Sequence, residues 1–182
     1  MFVKDNIHYF KSVLPAHVTL VAVSKTKPVT FLQEAYDAGQ RDFGENYVQE
    51  MADKQLLLPV DIRWHFIGHL QSNKVKYLAP FVYLIHGVDS RGLLKEINKQ
   101  AQKNNRVIDC LIQLHIAEEE TKFGFSIEEA SLLLRSDELK ALRHVSIKGF
   151  MAMASNTTDE AKLRKEFKQV RQLRPIFLNT KF

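Results

Sequence analysis

The sequence predicts an α/β fold on a parallel sheet, its six βα units read as part of an eight-unit TIM (β/α)8-type barrel. Three observations predict it. The hydrophobic pattern switches, six times in series, between short β-rich runs and runs at helical spacing, the order that parallel strands with crossover helices require. The run Val107 to Leu114 is apolar nearly throughout, as strands covered on both faces are. The glycine signatures of nucleotide-binding sheets do not occur: the first strand leads into Ser24-Lys-Thr-Lys-Pro28 instead of a GxGxxG turn, and no GxxxxGK[ST] is found. An open doubly wound sheet is the competing architecture, and both absences favour the barrel.

Each element has its own signal. A segment from Asn6 to Leu14 reads as an extra helix closing one end. Val18 to Ser24 is the first strand. Pro28 stands where a helix begins, since its missing N–H is no loss there; Phe31, Leu32, Ala35 and Tyr36 form its apolar face and Gly39 ends it. Arg41 to Phe43 is a second strand, followed by a helix from Tyr47 to Leu57. Ile62 to Ile67 is a third strand, followed by a helical segment from Asn73 to Leu78. Phe81 to Val88 gives a fourth, and Ser90 caps a helix carrying Leu93, Leu94, Ile97 and Ala101. Val107 to Leu114 leads to a helix over Ile127 to Leu134. Val145 to Met153 is the sixth strand, and Thr158 or Asp159 opens a long final helix.

The 182 residues suit one domain spanning the whole chain. No apolar run approaches the roughly 20 residues of a membrane-spanning helix, and the N-terminus lacks a secretory pattern. Cys110, the single cysteine, excludes an internal disulfide and suits a reducing compartment, so a cytoplasmic protein is expected. The net charge of +5 invites a nucleic-acid reading. Its densest stretch, Lys162 to Arg174, interleaves with Phe167, Val170 and Leu173 at helical spacing, which makes it the wet side of an amphipathic helix.

Function in a barrel concentrates where strands end and loops begin. Lys25 directly follows the first strand and alternates onto the face of Val21 and Val23. Apolar walls there would lower its pKa and free a neutral amine for Schiff-base chemistry, while the alternative is a lysine snorkelling to water. Lys27 reads as a solvated residue at the helix start. Asn46 offers a hydrogen bond to a ligand or a cap to the next helix. His65 faces a ligand or sits satisfied in the core; Met151 and Met153 line a pocket or pack the core. His65 and His69 do not share a helix and have no third partner, so no metal site is read. Glu118-Glu119-Glu120 reads as a solvated loop. No nucleophile elbow occurs, and Cys110 lies mid-strand.

Four blocks stand in a known order and spacing: Ala22-Val-Ser-Lys-Thr-Lys-Pro28, Ala38-Gly-Gln-Arg-Asp-Phe-Gly-Glu-Asn-Tyr-Val-Gln-Glu50, Trp64-His-Phe-Ile-Gly-His-Leu-Gln-Ser-Asn-Lys74 and Lys148-Gly-Phe-Met-Ala-Met153. From about Asp5 to Phe182 the chain resembles the pyridoxal phosphate homeostasis proteins, also called the proline synthetase co-transcribed family. The resemblance implies a PLP fold type III barrel like the N-terminal domain of alanine racemase, with pyridoxal 5'-phosphate (PLP) held as a Schiff base on Lys25. Asn46, His65 and Met151 match blocks lining the cofactor end. The family is regarded as non-enzymatic, monomeric and cytoplasmic, controlling cellular PLP; the partners implied are PLP and, as acceptors, PLP-dependent apoenzymes, with neither nucleic acid nor membrane. Members continue for roughly 40 to 50 further residues that supply strands seven and eight, after which barrels commonly bind phosphate. With the chain ending at Phe182, the expected barrel is open, with its first and sixth strands as edges.

The alternative function is a PLP-dependent racemase-like enzyme, which needs acid/base groups on both faces of the substrate α-carbon. None of Tyr9, Tyr36, Tyr47, Tyr77 or Tyr83 follows a strand as a second such group, Tyr47 coming closest, and this favours the carrier reading.

Overall fold

The computed structural model describes residues 3–117 and 123–179, so the Glu118–Glu120 run lies outside the described residues. An N-terminal helix, α1 (Val3–Val13), buries Ile7 and precedes a short β1 (Ala22–Val23). Then come α2 (Val29–Asp37), β2 (Asp42–Glu45), α3 (Val48–Gln55), β3 (Arg63–Phe66), a 3-10 turn over Ser72–Lys74 and α4 (Val75–Leu78). The second half has β4 (Leu84–Val88), α5 (Arg91–Lys103), β5 (Ile108–Leu114), α6 (Ile127–Arg135), α7 (Asp137–Ala141), β6 (Val145–Ala152), α8 (Glu160–Gln172) and α9 (Arg174–Asn179). Among the described residues the strands form one all-parallel sheet in sequence order, with β1 and β6 at its edges.

Local chemistry explains the helix boundaries. Pro28 precedes α2 with φ −65°, and the helix ends in a Schellman arrangement. Gly39 takes φ 87°, its N–H bonding Tyr36 O at 2.8 Å and that of Gln40 bonding Ala35 O at 2.9 Å. Ser90 accepts from the Leu93 N–H to start α5, and Ser126 with Glu129 makes a full capping box on α6. Asp159 accepts from the N–H groups of Ala161 and Lys162 at α8.

Two expectations need correction. The first strand is not seven residues but two, because β2 supplies a ladder only from Asp42 and the buried Gln40 amide takes the Leu20 carbonyl at 2.7 Å. The final helix breaks after Gln172, where Pro175 lacks the N–H needed to continue the preceding turn. Phe167 is 51% exposed instead of packing with Val170 and Leu173. Glu166 holds the inward place, since it shares the i, i+4, i+7 stripe with those two and accepts from Ser155 N and Oγ at 2.8 and 2.6 Å.

The helix-facing side of the sheet is the core. Phe43, Phe66, Ile85, Cys110, Ile112 and Ile147 pack there with Leu32, Met51, Leu78, Leu94, Ile97 and Leu133, each large side chain contributing about 1.5–3 kcal/mol by leaving water. Burial pushes the Cys110 thiol pKa up, with Asp109 adding to the rise. The opposite face of the sheet is polar. Thr19, Val21, Asp42, Arg63, His65, His86, Asp109 and Lys148 border a groove of about 560 Å3.

Candidate functional site

Lys25 follows β1 at the first corner of a Ser24–Lys27 turn, closed by Lys27 N donating to Ser24 O at 3.1 Å. Thr26, at the second corner, has φ 60°, a left-handed conformation that a β-branched residue adopts only when its surroundings impose it, at about 1–3 kcal/mol. The surroundings here are polar and buried. Lys54 Nζ donates to Ser24 O, Glu45 Oε1 and Glu50 Oε1, all at 2.7 Å. Ser24 Oγ donates to Glu45 Oε1 at 2.7 Å, and the Thr26 N–H to Glu50 Oε1 at 2.6 Å. Glu45 Oε2 is buried without a hydrogen-bond partner.

Lys25 itself is exposed, as is Lys27. The apolar shielding expected from Val23 is not there: Val23 is 55% exposed on an edge strand. The register pairs Val23 with Gly44, which sets Asn46 at the neighbouring strand end. Asn46 does not cap α3. Tyr47 is the N-cap residue, without a side-chain bond, and Asn46 Oδ1 is buried with no hydrogen-bond partner. Gly68 lies against Asn46, where a Cβ would collide with the Asn46 carbonyl oxygen and come within 2.8 Å of its Cα. Across the mouth, His69 stacks on Phe123 with ring centroids 4.4 Å apart, and its Nδ1 lies 3.0 Å from Asp89 Oδ2.

His65 pairs with Gly44, one side-chain layer beneath Asn46, and both its ring nitrogens are engaged. Nε2 lies 3.0 Å from Asp42 Oδ1 and Nδ1 2.9 Å from His86 Nε2. Arg63 grips Asp42 through Nε and Nη2 at 2.7 and 2.6 Å. Burial alone would raise the Asp42 pKa, but hydrogen bonds from Arg63 and His65, with the arginine charge, hold it below the usual carboxylate range. Burial lowers the His65 pKa against the pull of Asp42. It pushes His86 down to about 4, with His65 adding to the fall. Met151 is half-buried on β6 opposite Gln113, at the other edge of the sheet. The structure thus puts Lys25 and Asn46 just beyond the ends of the paired strands β1 and β2, His65 on β3 level with Gly44, and Met151 on β6 at the other edge of the sheet. Among the described residues no cluster of His, Cys, Asp and Glu could hold a metal ion.

Sequence reasoning missed Glu45, Lys54 and His86. Lys54 had a signal: it stands between Met51 and Leu58 at i+3 and i+7 spacing, on the stripe that packs inward. Charged residues default to the surface in such a reading, and His86 had no signal beyond a histidine within a strand.

The profile of the family "Alanine racemase, N-terminal domain" matches residues 3–179. The pyridoxal phosphate homeostasis protein of Aquifex aeolicus is 40% identical over 156 residues, covering 85% of this chain and 68% of the relative. That of Escherichia coli is 38% identical over 172 residues, covering 92% and 71%. The chain therefore spans about two thirds of the length of the curated relatives it matches. Among solved structures, PipY of Synechococcus elongatus with PLP bound aligns at TM-score 0.86 and 32% identity over 98% of this chain and 83% of PipY. Alanine racemase from E. faecalis aligns at TM-score 0.77 with 15% identity over 96% of this chain and 48% of the racemase, a likeness of fold alone. This parallel sheet, carrying a lysine turn after its first strand, belongs to the alanine racemase N-terminal-domain family, among the pyridoxal phosphate homeostasis proteins.

Proposed function

We propose that this chain binds PLP at the strand-end mouth and serves PLP homeostasis as a carrier or regulatory protein, without catalytic turnover. The observation that carries the proposal is PipY, solved with PLP bound and alike in fold over 98% of this chain. The residues present fit such a ligand. Lys25 offers an accessible amine on a turn held from beneath, and the orphaned Asn46 Oδ1 is an acceptor that a ligand hydroxyl would satisfy. The cofactor supplies an aldehyde, the electrophile that a neutral lysine amine attacks. Lys25 is the residue proposed to hold it covalently, and Asn46 to orient it. With both its nitrogens engaged, His65 acts as support beneath the mouth. Met151 is assigned to the far wall.

The carrier role is supported by the curated relatives, which are named pyridoxal phosphate homeostasis proteins. Acceptor apoenzymes and a cytoplasmic location belong to the same proposal. Incubating the chain with PLP and recording its near-visible absorbance tests it. The wild type is expected to gain a band that Lys25→Ala loses, with no racemisation of alanine above the Lys25→Ala background. A wild type that gains no band overturns PLP binding, and turnover that depends on Lys25 overturns the carrier role.

A further inference from the structure

Lys25 and Lys27 are both exposed and stand two residues apart, so burial does not set one above the other as a point of attachment. The backbone does. Both chain neighbours of Lys25 are tied to one buried cluster: Ser24 by its Oγ on Glu45 and its carbonyl on Lys54, Thr26 by its N–H on Glu50. The Lys54 ammonium has three N–H groups and spends each on this cluster, at three equal distances of 2.7 Å. Side-chain exposure is 0% for Glu45, 6% for Lys54 and 22% for Glu50. Such a buried pair adds little stability over apolar residues of the same volume. What it does achieve here is local: it holds a turn with a left-handed Thr26 that the sequence would not otherwise favour.

We propose that Lys54, with Glu45 and Glu50, is the positioning residue that makes Lys25, and not Lys27, the point of covalent capture of a phosphorylated aromatic aldehyde. This rests on the PLP-binding reading above. In the capture step the neutral Lys25 Nζ bonds to the aldehyde carbon, and the carbonyl oxygen leaves as water with the two amine protons. Fixing both flanking peptides sets the direction in which the Lys25 side chain leaves the backbone and so narrows the positions its Nζ reaches, and misplacement of a reacting atom costs much of the rate.

The test uses the full chain with PLP, traps the adduct with borohydride, and measures pyridoxylation at Lys25 and Lys27 by peptide mass spectrometry. Wild type is expected to be labelled chiefly at Lys25. Lys54→Met is expected to lower the Lys25-to-Lys27 ratio by about tenfold or more with far-UV circular dichroism unchanged, and Lys54→Arg to restore part of it. Should Lys54→Met fail to fold, the pair Glu45→Gln with Lys54→Met, which leaves no buried charge unpaired, and the milder Glu50→Gln give the same reading. A ratio unmoved in the folded variants overturns the positioning role and leaves Lys25 as carrier. A wild type that labels both lysines alike overturns the selection of Lys25 and this inference with it, whereas a wild type that takes no label at either lysine overturns the PLP-binding reading itself.

Discussion

Replacing His86 with Gln should flatten the acid side of the stability curve. The unfolded imidazole takes up a proton as pH falls through about 6.5, whereas the folded one resists until about 4. Between these values the unfolded chain binds more protons, so the contribution is fully present above about 6.5 and drains away as pH falls. A difference from 6.5 to about 4 corresponds to at most about 3.4 kcal/mol. The groove is open to solvent, and screening reduces this to roughly 1–2 kcal/mol. The charged and titratable groups around the histidine pair are Asp42, Arg63, Tyr83, Asp109 and Lys148. Asp42, held below the usual range, stays ionised across this window. Glutamine keeps an N–H for His65 Nδ1, so the packing is disturbed little. Urea unfolding of both proteins from about pH 4.5 to about pH 7.5 should show the wild type gaining roughly 1–2 kcal/mol on the variant as pH rises. Parallel curves would refute the claim that His86 is held neutral by burial.

Lys54→Met leaves Glu45 buried and unpaired, and should lose about 3–5 kcal/mol of unfolding free energy, while the double substitution Glu45→Gln with Lys54→Met loses far less; denaturant midpoints decide between these. Gly68→Ala forces a methyl into the Asn46 backbone and should cost about 1–3 kcal/mol, read by thermal unfolding. A neutral result there would mean that the β2 and β3 strand ends are not in close contact.

Much of the architecture is legible in the residues because parallel strands and their helices leave separate periodicities. Leu93, Leu94, Ile97 and Ala101 mark the inner face of α5, and all four are buried. Ser90 and Asp159 mark two helix starts through their side-chain oxygens. The sheet's other face is where pattern reading fails. Asp42, Arg63, His65 and His86 alternate with core residues, so each strand reads as half-wet, and nothing in the spacing says that these polar groups bond to one another. Glu166 and Phe167 show the same limit: adjacent on one helix, they exchange their customary places because Ser155, eleven positions earlier, completes the carboxylate. The site was half legible. Lys25 follows from its place after a strand, whereas the cluster holding its turn joins residues up to 30 positions apart through side-chain bonds.

The bidentate hold of Arg63 on Asp42 reaches further than its two bonds. A carboxylate kept ionised can only accept, so His65 must carry hydrogen on Nε2 and offer a bare Nδ1 to its neighbour. His86 must then donate from Nε2, which leaves its own Nδ1 as a lone pair. One carboxylate, gripped by a guanidinium from the start of β3, therefore sets the tautomers of two imidazoles on consecutive strands. Take that carboxylate away, and both rings lose their reason to choose a side.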